Sequence, residues 1–294
     1  MLNKSYAVKD LSYAHSVGSK GGQTVINLLE NATGRLALIK RARGYQDEIV
    51  KGRDFWQVIV ERYGLSLDIM SGSLTNIPRA GPLILVANHP FGILDGVILG
   101  HILATIRGDF RILAHKVFQK SEELQSCILP VSFDKTKEAM RQNLDTRKEA
   151  LEFLTKNGAI GIFPGGTVST ARKPFTKPMD PRWRNFTARM ITKSNATVVP
   201  IYFDGQNSRM FQIASHAHYT LRMGLLMSEF RKRIDSPVKL AIGAAITPQE
   251  LKAQSCDATS LMDYLRCTTY ELAPAPFEPY EYGFEFEDRY KRPA

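Results

Sequence analysis

At residues 86–96 the chain reads VANHPFGILDG, and this stretch predicts how the surrounding protein folds. The apolar run at 82–87 is short, partly β-branched and bounded by turn residues, so it predicts a buried strand. Pro90 disfavours helical dihedral angles at His89, which ends the strand and places the imidazole at its edge. Beyond the turn, Asp95 opens an apolar segment with helical spacing. A histidine at a strand end and a carboxylate at the start of the next helix can meet across such a turn.

This pair of residues supports two interpretations. In the first, the imidazole is neutral, is held in one tautomer by the carboxylate, and acts as a general base near pH 7. In the second, Asp95 caps the helix and His89 is a polar turn residue. The two residues by themselves leave both interpretations open.

Predicted strands and helices alternate along the chain from residue 82 onward. This alternation is typical of an α/β domain whose mostly parallel central sheet is flanked by helices. The predicted strands are 82–87, 110–114, 128–131, 159–163, 196–203 and 238–246. Helices are predicted at 97–106, 137–156, 181–194 and 259–272, and Thr247-Pro248 resembles the capped start of a further helix.

The N-terminal part contains two amphipathic segments, 25–39 and 46–63, and the second carries Trp56. Amphipathic helices with basic edges can lie in a membrane interface or can cover a sheet, and both interpretations stay open. We predict an N-terminal amphipathic helical region that associates with a membrane (1–75), an α/β domain (76–273) and an extended C-terminal tail (274–294).

The composition is that of a folded, basic protein. Its 294 residues are 44% hydrophobic, which is enough to bury a core. The net charge of +10 and the pI near 9.5 predict an anionic partner: nucleic acid, anionic lipid headgroups or an acidic carrier protein. The three cysteines are far apart, which fits a reducing compartment. Neither a signal-peptide core nor an apolar stretch of about eighteen residues is present, so we expect a soluble or peripheral cytoplasmic protein.

Three predicted strands end in residues suited to chemistry, at the edge of the sheet where ligands bind in α/β proteins. These ends are His89, the turn Pro164-Gly165-Gly166-Thr167 and the segment 200–205. The paired glycines allow amide N–H groups to face an anion or a developing oxyanion without a Cβ in the way. The same four residues also fit an ordinary tight turn.

Three motifs, in this order, resemble those of the glycerolipid (lysophospholipid) acyltransferase family. They are Asn88-His89 with Asp95, the segment FPGGT at 163–167, and Val199-Pro200-Ile201. The resemblance spans most of the α/β domain. It implies an α/β core with amphipathic N-terminal helices on the membrane. It also implies an acyl transfer in which His89 is the general base and Asp95 fixes and polarises it.

The resemblance also implies how the oxyanion and the substrate are bound. Lys116 and the N–H of Gly166 match positions associated with the oxyanion, and Gly165 and Thr167 belong to the same turn. The family reaction implies no metal ion, no covalent enzyme intermediate and no cofactor. Its co-substrate would be an acyl group on acyl carrier protein (acyl-ACP) or on coenzyme A (acyl-CoA).

Two departures from the usual family pattern bear on the acceptor. Five residues separate His89 from Asp95 instead of four, and the usual motif Phe-Pro-Glu-Gly-Thr-Arg-Ser has Gly165 in place of Glu and Val168 in place of Arg. In the family that Arg is linked to the phosphate of lysophosphatidic acid. Both departures resemble the bacterial branch that includes lyso-ornithine-lipid acyltransferases, whose acceptor hydroxyl lies on an acyl chain attached to an amino acid. We therefore expect a lyso-aminolipid acceptor, with lysophosphatidic acid as the alternative.

Basic residues follow the FPGGT motif directly. Seven of them, and one acid, Asp180, lie between Arg172 and Lys193. These charges fit a solvated helix face, or they fit a lipid headgroup, an amino-acid carboxylate or an acidic acyl carrier. Arg172 and Lys173 are the expected partners of a headgroup carboxylate. The segment 221–234 is either a further membrane contact or a core helix with a basic end. We expect peripheral attachment to an anionic membrane surface, on the cytoplasmic face of the inner membrane.

Two other classes of protein fit parts of the sequence. A nucleic-acid-binding protein would explain the pI, but the aromatic residues form no RNA-binding signature and no helix-turn-helix pattern stands out, so we expect no nucleic-acid partner. A metallohydrolase could use His89, His115, His216 and His218, yet these histidines lack close ligand spacing with a carboxylate, so we expect no metal.

Overall fold

Seven strands form the central sheet of the computed structural model, which describes residues 12–16, 18–115, 118–119, 122–132, 136–254, 256–278 and 281–286. In chain order the strands of the described residues are β1 (Ser66–Ser71), β2 (Leu83–Ala87), β3 (Phe110–His115), β4 (Ile128–Val131), β5 (Ala159–Ile162), β6 (Thr170–Ala171), β7 (Pro178–Met179), β8 (Thr197–Phe203) and β9 (Pro237–Ile242). Strands β6 and β7 pair with each other as a small separate hairpin.

Helices cover both faces of the sheet. In chain order the α-helices of the described residues are α1 (Lys20–Thr33), α2 (Arg35–Arg41), α3 (Tyr45–Val50), α4 (Phe55–Arg62), α5 (Ile93–Arg107), α6 (Glu122–Gln125), α7 (Lys137–Thr155), α8 (Asn185–Ser194), α9 (Arg209–Ala217), α10 (Tyr219–Arg231), α11 (Pro248–Gln254) and α12 (Ala258–Tyr270). Two short 3-10 helices, Tyr13–Ser16 and Leu74–Asn76, precede α1 and β2.

The strand order across the sheet is β1-β9-β8-β2-β5-β3-β4. Neighbouring strands are parallel, except that β8 and β9 run antiparallel. Parallel neighbours need crossover connections, and the intervening helices supply them. The predicted α/β fold with a mostly parallel central sheet flanked by helices is confirmed.

Strand β2 lies at the middle of the sheet, and all five of its residues are buried. Leu83, Leu85 and Ala87 point into the core on one face, together with α1, α4, α5 and α10. Ile84 and Val86 point into the core on the other face, which α7, α8 and α12 cover. A strand that is buried on both faces reads as a continuous apolar run, which explains why the sequence predicted it well.

The N-terminal region differs from the two predicted helices in its details. The segment 46–63 forms α3 and α4 rather than one helix, because Gly52 adopts a positive φ of 85° between them. Trp56 is only 8% exposed and packs against Gly100 of α5, where any side chain would collide with its ring. This segment therefore covers the sheet. Strand β1, which the sequence did not predict, joins the same sheet beside β9.

Several predicted elements have different ends in the structure; α5, for example, begins at Ile93 and not at residue 97. Helix α8 begins at Asn185 and not at residue 181, because the Arg184 amide donates to the Pro164 carbonyl and keeps the preceding segment extended. Strand β9 ends at Ile242, and Ile246 returns as an isolated bridge to Val198.

In the C-terminal half, the structure shows where the segment 221–234 and the tail lie. Helix α10 is mostly buried, so the segment 221–234 contains a core helix with a basic end. In the tail, the amides of Gly283 and Phe284 donate to Asp180 and Thr170, so this part of the tail lies along the β6 hairpin. Within the residues that the structure describes, no helix is both long enough and apolar enough to cross a membrane.

Candidate active site

His89 and Asp95 are in contact at the carboxyl end of β2. The Nδ1 atom of His89 lies 3.0 Å from the Oδ2 atom of Asp95. The Asp95 side chain is completely buried, whereas that of His89 is 18% exposed. The Phe163 ring stacks on one face of the imidazole, with a centroid separation of 4.1 Å. The imidazole is therefore oriented by a buried carboxylate and an aromatic ring, and it retains access to solvent.

The turn between these two residues brings them together despite its extra residue. Gly92 has φ 89° and ψ −110°, a conformation that only glycine adopts readily. The amides of Phe91 and Gly92 both donate to Asp95 Oδ2, at 2.9 and 3.0 Å. The same oxygen thus caps the start of α5 and contacts the imidazole. The structure thus confirms that Asp95 caps the helix, and the general-base role of the pair stays a prediction.

Burial raises the pKa of Asp95, since ionisation in the core loses hydration. The contact with His89 and the two donated amides act in the opposite direction and favour the carboxylate. The other oxygen, Oδ1, is buried without a hydrogen-bond partner among the described residues. His89 Nδ1 likewise forms no well-aligned hydrogen bond among the described residues, so its 3.0 Å approach to Oδ2 is a close polar contact between the two side chains.

The glycine turn lies next to His89. Gly166 adopts φ 69°, and its amide donates to the Phe163 carbonyl at 3.0 Å, which closes the turn. Within the described part of the chain, the amides of Thr167 and Val168 donate to no acceptor. The next amide, that of Ser169, donates to the His89 carbonyl at 2.7 Å. This last bond ties the turn to the loop that carries the histidine.

A second buried carboxylate, Asp180, holds the same two segments together. Its Oδ1 accepts the His89 amide at 3.1 Å and the Ser169 hydroxyl at 2.5 Å. Its Oδ2 accepts the indole N–H of Trp183 at 2.9 Å. A Cβ at Gly165 would lie 3.2 Å from the Asp180 carboxyl carbon, so the carboxylate borders the space that a side chain at Gly165 would enter.

Arg222 reaches the turn from the opposite side. Its Nη2 donates to the Thr167 hydroxyl at 3.0 Å and to the Val168 carbonyl at 2.7 Å. Its Nη1 donates to the hydroxyls of Thr170 and Ser215, at 2.5 and 3.0 Å. The segment 167–170 is thus bonded to Asp180 through Ser169 and to Arg222 through its other residues.

The remaining residues of the predicted site are distributed as follows. Asn88 exchanges two hydrogen bonds with the backbone of Phe203, which fixes the ends of β2 and β8 against each other. Arg172 and Lys173 lie exposed in the turn of the β6–β7 hairpin. Lys116 lies outside the described residues. The structure brings His89, Asp95 and the 165–167 turn together, and the roles of all the predicted site residues stay predictions.

The histidines considered for a metal site have other contacts. The His216 Nε2 atom lies 2.9 Å from the Ala171 carbonyl, and the His218 Nδ1 atom accepts the Thr220 amide at the start of α10. In the described ranges, no three His, Cys, Asp or Glu side chains form a group that could hold a metal ion.

Sequence reasoning missed Asp180 and Arg222 as parts of this site. A weak signal existed for each of them. Asp180 is the one acid within a basic stretch, and Arg222 interrupts an otherwise apolar run, LRMGLLM at 221–227. A charge within an apolar helical pattern indicates a buried partner, but the sequence does not identify that partner.

A histidine oriented by a buried carboxylate, beside a glycine turn at the carboxyl edge of a parallel sheet, is suited to taking a proton from a hydroxyl. The sequence matches the family described as Acyltransferase over residues 44–274, which is most of the chain. The chain therefore belongs to the acyltransferase family, and it is an enzyme that transfers an acyl group.

Two curated relatives are similar over a large part of the chain. A lyso-glycine lipid O-acyltransferase of Phocaeicola vulgatus is 27% identical over 202 residues, which cover 66% of this chain and 69% of the relative. A protein of the same name from Bacteroides thetaiotaomicron is 22% identical over 228 residues, which cover 75% of this chain and 80% of the relative. Among solved structures, the 1-acyl-sn-glycerophosphate (LPA) acyltransferase PlsC of Thermotoga maritima is 17% identical. That match has a TM-score of 0.43 and covers 80% of this chain and 85% of the PlsC chain.

Proposed function

We propose that this protein is a lysolipid O-acyltransferase whose acceptor is a lyso-aminolipid, such as lyso-glycine lipid or lyso-ornithine lipid, in membrane lipid biosynthesis. The observation that carries the proposal is the 3.0 Å contact between His89 Nδ1 and Asp95 Oδ2 beside the 163–167 turn. Family membership supports acyl transfer, and the names of the two relatives support an aminolipid acceptor.

In the proposed reaction, Asp95 holds the imidazole with its proton on Nδ1, so that Nε2 is the base. Nε2 of His89 takes the proton of the acceptor hydroxyl while the hydroxyl oxygen forms a bond to the thioester carbonyl carbon of the donor. The tetrahedral intermediate then breaks its C–S bond, the ester is released, and the proton passes from His89 to the leaving thiolate. The reaction is complete without a covalent enzyme intermediate.

The oxyanion of the intermediate requires hydrogen-bond donors. The amides of Thr167 and Val168 are suitable, because they donate to no acceptor in the described part of the chain. The Gly166 amide, which the family resemblance favours, would first have to release the Phe163 carbonyl. Lys116 remains a proposed further donor.

The headgroup proposal depends on the turn after the glycines. A phosphate monoester is best held by a guanidinium fork, whereas Val168 is apolar and buried. A lyso-aminolipid presents a carboxylate with a single charge, for which the exposed Arg172 and Lys173 are the proposed partners. The acyl donor is acyl-ACP or acyl-CoA, and the basic character of the protein suits either acidic donor.

We propose that the enzyme attaches peripherally to the cytoplasmic face of the inner membrane. Helices α1, α2, α9 and α10 adjoin one another on one face of the sheet, and together they expose a group of apolar side chains. We call this group the apolar face; its members are Val25, Leu28, Leu36, Met210, Ile213, Tyr219 and Leu221. The exposed Lys40 of α2 lies on one of these helices and would favour anionic lipid, whereas the neighbouring Arg41 is ion-paired with Asp235.

Lipid mass spectrometry of cells that express the protein tests the function. Cells that make a lyso-aminolipid should convert it to the diacylated form when they express the wild-type protein, but not when they express His89→Ala at the same level. If the wild-type protein leaves the lyso-aminolipid pool unchanged and consumes lysophosphatidic acid instead, the proposed acceptor is wrong.

A further inference from the structure

Arg222 is a buried cation that the proposed reaction does not use. Arg222 is 2% exposed and lies in the first turn of α10. Four donated hydrogen bonds surround its guanidinium, and every acceptor is a neutral hydroxyl or carbonyl oxygen. The rings of Phe211 and Phe286 lie over it, at 5.0 and 4.3 Å from the guanidinium carbon.

Such a charge is costly in a protein core. Burial lowers the pKa of Arg222 to about 10, so the group is still cationic at neutral pH. Within the described residues, no carboxylate lies within ion-pair distance of it. A leucine or methionine would fill the same position without the cost of dehydrating a charge. The four hydrogen bonds of Arg222 indicate why an arginine occupies this position.

Three of the four acceptors belong to the segment 167–170, directly after the paired glycines. The same segment bonds to the histidine loop through Ser169, whose amide donates to the His89 carbonyl. Arg222, which belongs to α10, therefore fixes the turn that adjoins the proposed general base. It also brings a positive charge to a turn whose own position 168 is a valine.

We propose that Arg222 is a positioning residue for acyl transfer, which holds Thr167 and the peptide of Val168 in the geometry that the reaction needs. It acts through these groups and does not itself touch the reacting atoms. This proposal rests on the proposed function, because its kinetic test needs an acceptor. A test by amide hydrogen exchange needs none.

The variants Arg222→Met and Arg222→Lys test the proposal kinetically. In Arg222→Met, kcat should fall on the order of 10²-fold, as expected when a reacting group is misplaced by about 1 Å, while KM for the acyl donor stays within about twofold. Arg222→Lys keeps the charge but can form only some of the four hydrogen bonds of the guanidinium. Its kcat should therefore lie between those of Arg222→Met and wild type.

A matched control separates positioning from stability. Arg107 also donates to carbonyl oxygens, those of Pro78, Gly81 and Asn157, but at the opposite edge of the sheet. Arg107→Met should lower the melting temperature and leave kcat unchanged. Thr167→Val removes one acceptor of Arg222, so its loss of kcat should not add to that of Arg222→Met in the double variant. A kcat within twofold of wild type for Arg222→Met, or full additivity with Thr167→Val, would overturn the proposal.

Amide hydrogen exchange provides the test that does not depend on the acceptor. Exchange in the peptide covering residues 163–171 should be faster in Arg222→Met than in wild type or Arg107→Met. If the wild-type enzyme acylates lysophosphatidic acid rather than a lyso-aminolipid, the proposed function fails and the kinetic test proceeds with that acceptor. If the wild-type enzyme acylates neither, hydrogen exchange decides, and unchanged exchange in residues 163–171 of Arg222→Met contradicts the proposal.

Discussion

At the scale of single residues, Asp95 Oδ2 has three neighbours that carry or can carry a proton: His89 Nδ1 and the amides of Phe91 and Gly92. The sequence predicted the His89–Asp95 pair because both residues lie within one turn. Asp180 and Arg222 are 91 and 54 residues away from their partners His89 and Val168, and nothing local in the sequence identifies these partners. Local pairs were therefore predictable, and the long-range charges that fix the turn were not.

Removing the proposed base should abolish transfer. His89→Ala should lower kcat by about two to four orders of magnitude, because no other group would take the proton of the hydroxyl. Asp95→Asn should also be severely impaired, since an amide no longer favours the required tautomer. Steady-state kinetics measures both variants, and circular dichroism confirms that they are folded. Near-normal turnover in His89→Ala would refute the assignment of the base.

The buried carboxyl of Asp95 also predicts a pH dependence of stability. Its pKa is raised by burial, so the folded protein binds this proton more tightly than the unfolded chain does. The contribution of Asp95 to stability should therefore fall as pH rises from about 4, the pKa of a free aspartate, towards neutrality.

Urea unfolding of wild type and Asp95→Asn at several pH values measures this contribution. The free energy of unfolding of wild type, minus that of Asp95→Asn, should decrease as pH rises. An increase over the same range would mean that the folded state lowers the pKa of Asp95, through the histidine and the two amides.

At the scale of elements, the central strands were the most predictable part of the fold. Strands buried on both faces, such as β2, give unbroken apolar runs that local sequence reveals. The errors occurred where tertiary contacts determine the conformation. The Arg184 amide donates a hydrogen bond to the Pro164 carbonyl, so α8 begins only at Asn185. The exposed edge strand β1 has no such run.

The turn from β2 to α5 depends on one glycine. Gly92→Ala should destabilise the protein by about 1–3 kcal/mol, because alanine is strained at this φ and ψ. Its Cβ would also lie 3.1 Å from a methyl group of Val168, so the two halves of the site would move apart and kcat should fall.

Gly96, in the first part of α5, is the matched control for Gly92. Nothing lies within 4 Å of a Cβ placed there, so Gly96→Ala should be neutral or slightly stabilising. Thermal unfolding and kcat measure both variants. If Gly92→Ala behaves like Gly96→Ala, the turn does not require glycine.

At the scale of the whole molecule, charge and exposed apolar side chains are the two features on which the proposed membrane attachment depends. The net charge is +10, and the apolar face lies on one side of the sheet, over helices α1, α2, α9 and α10. The sequence predicted the basic character, but not which apolar residues stay exposed: Trp56 is buried, whereas Leu28 is 69% exposed.

Binding to lipid vesicles should depend on this apolar face and on charge. The wild-type protein should sediment with vesicles more strongly as their anionic lipid content rises, and less strongly as salt is added. Leu28→Glu and Leu36→Glu should weaken binding. Leu144→Glu should not, because Leu144 is equally a surface leucine but lies on α7, across the sheet. Equal binding by all three variants would exclude the apolar face as the contact.

A competition between two acceptors tests whether this enzyme acylates a lyso-aminolipid. Purified protein should be given an acyl donor together with equal amounts of a lyso-aminolipid and lysophosphatidic acid, and the two products measured by mass spectrometry. The lyso-aminolipid should be acylated much faster, because the turn after the paired glycines carries Val168 in place of a phosphate-binding arginine. Faster acylation of lysophosphatidic acid would contradict this proposal.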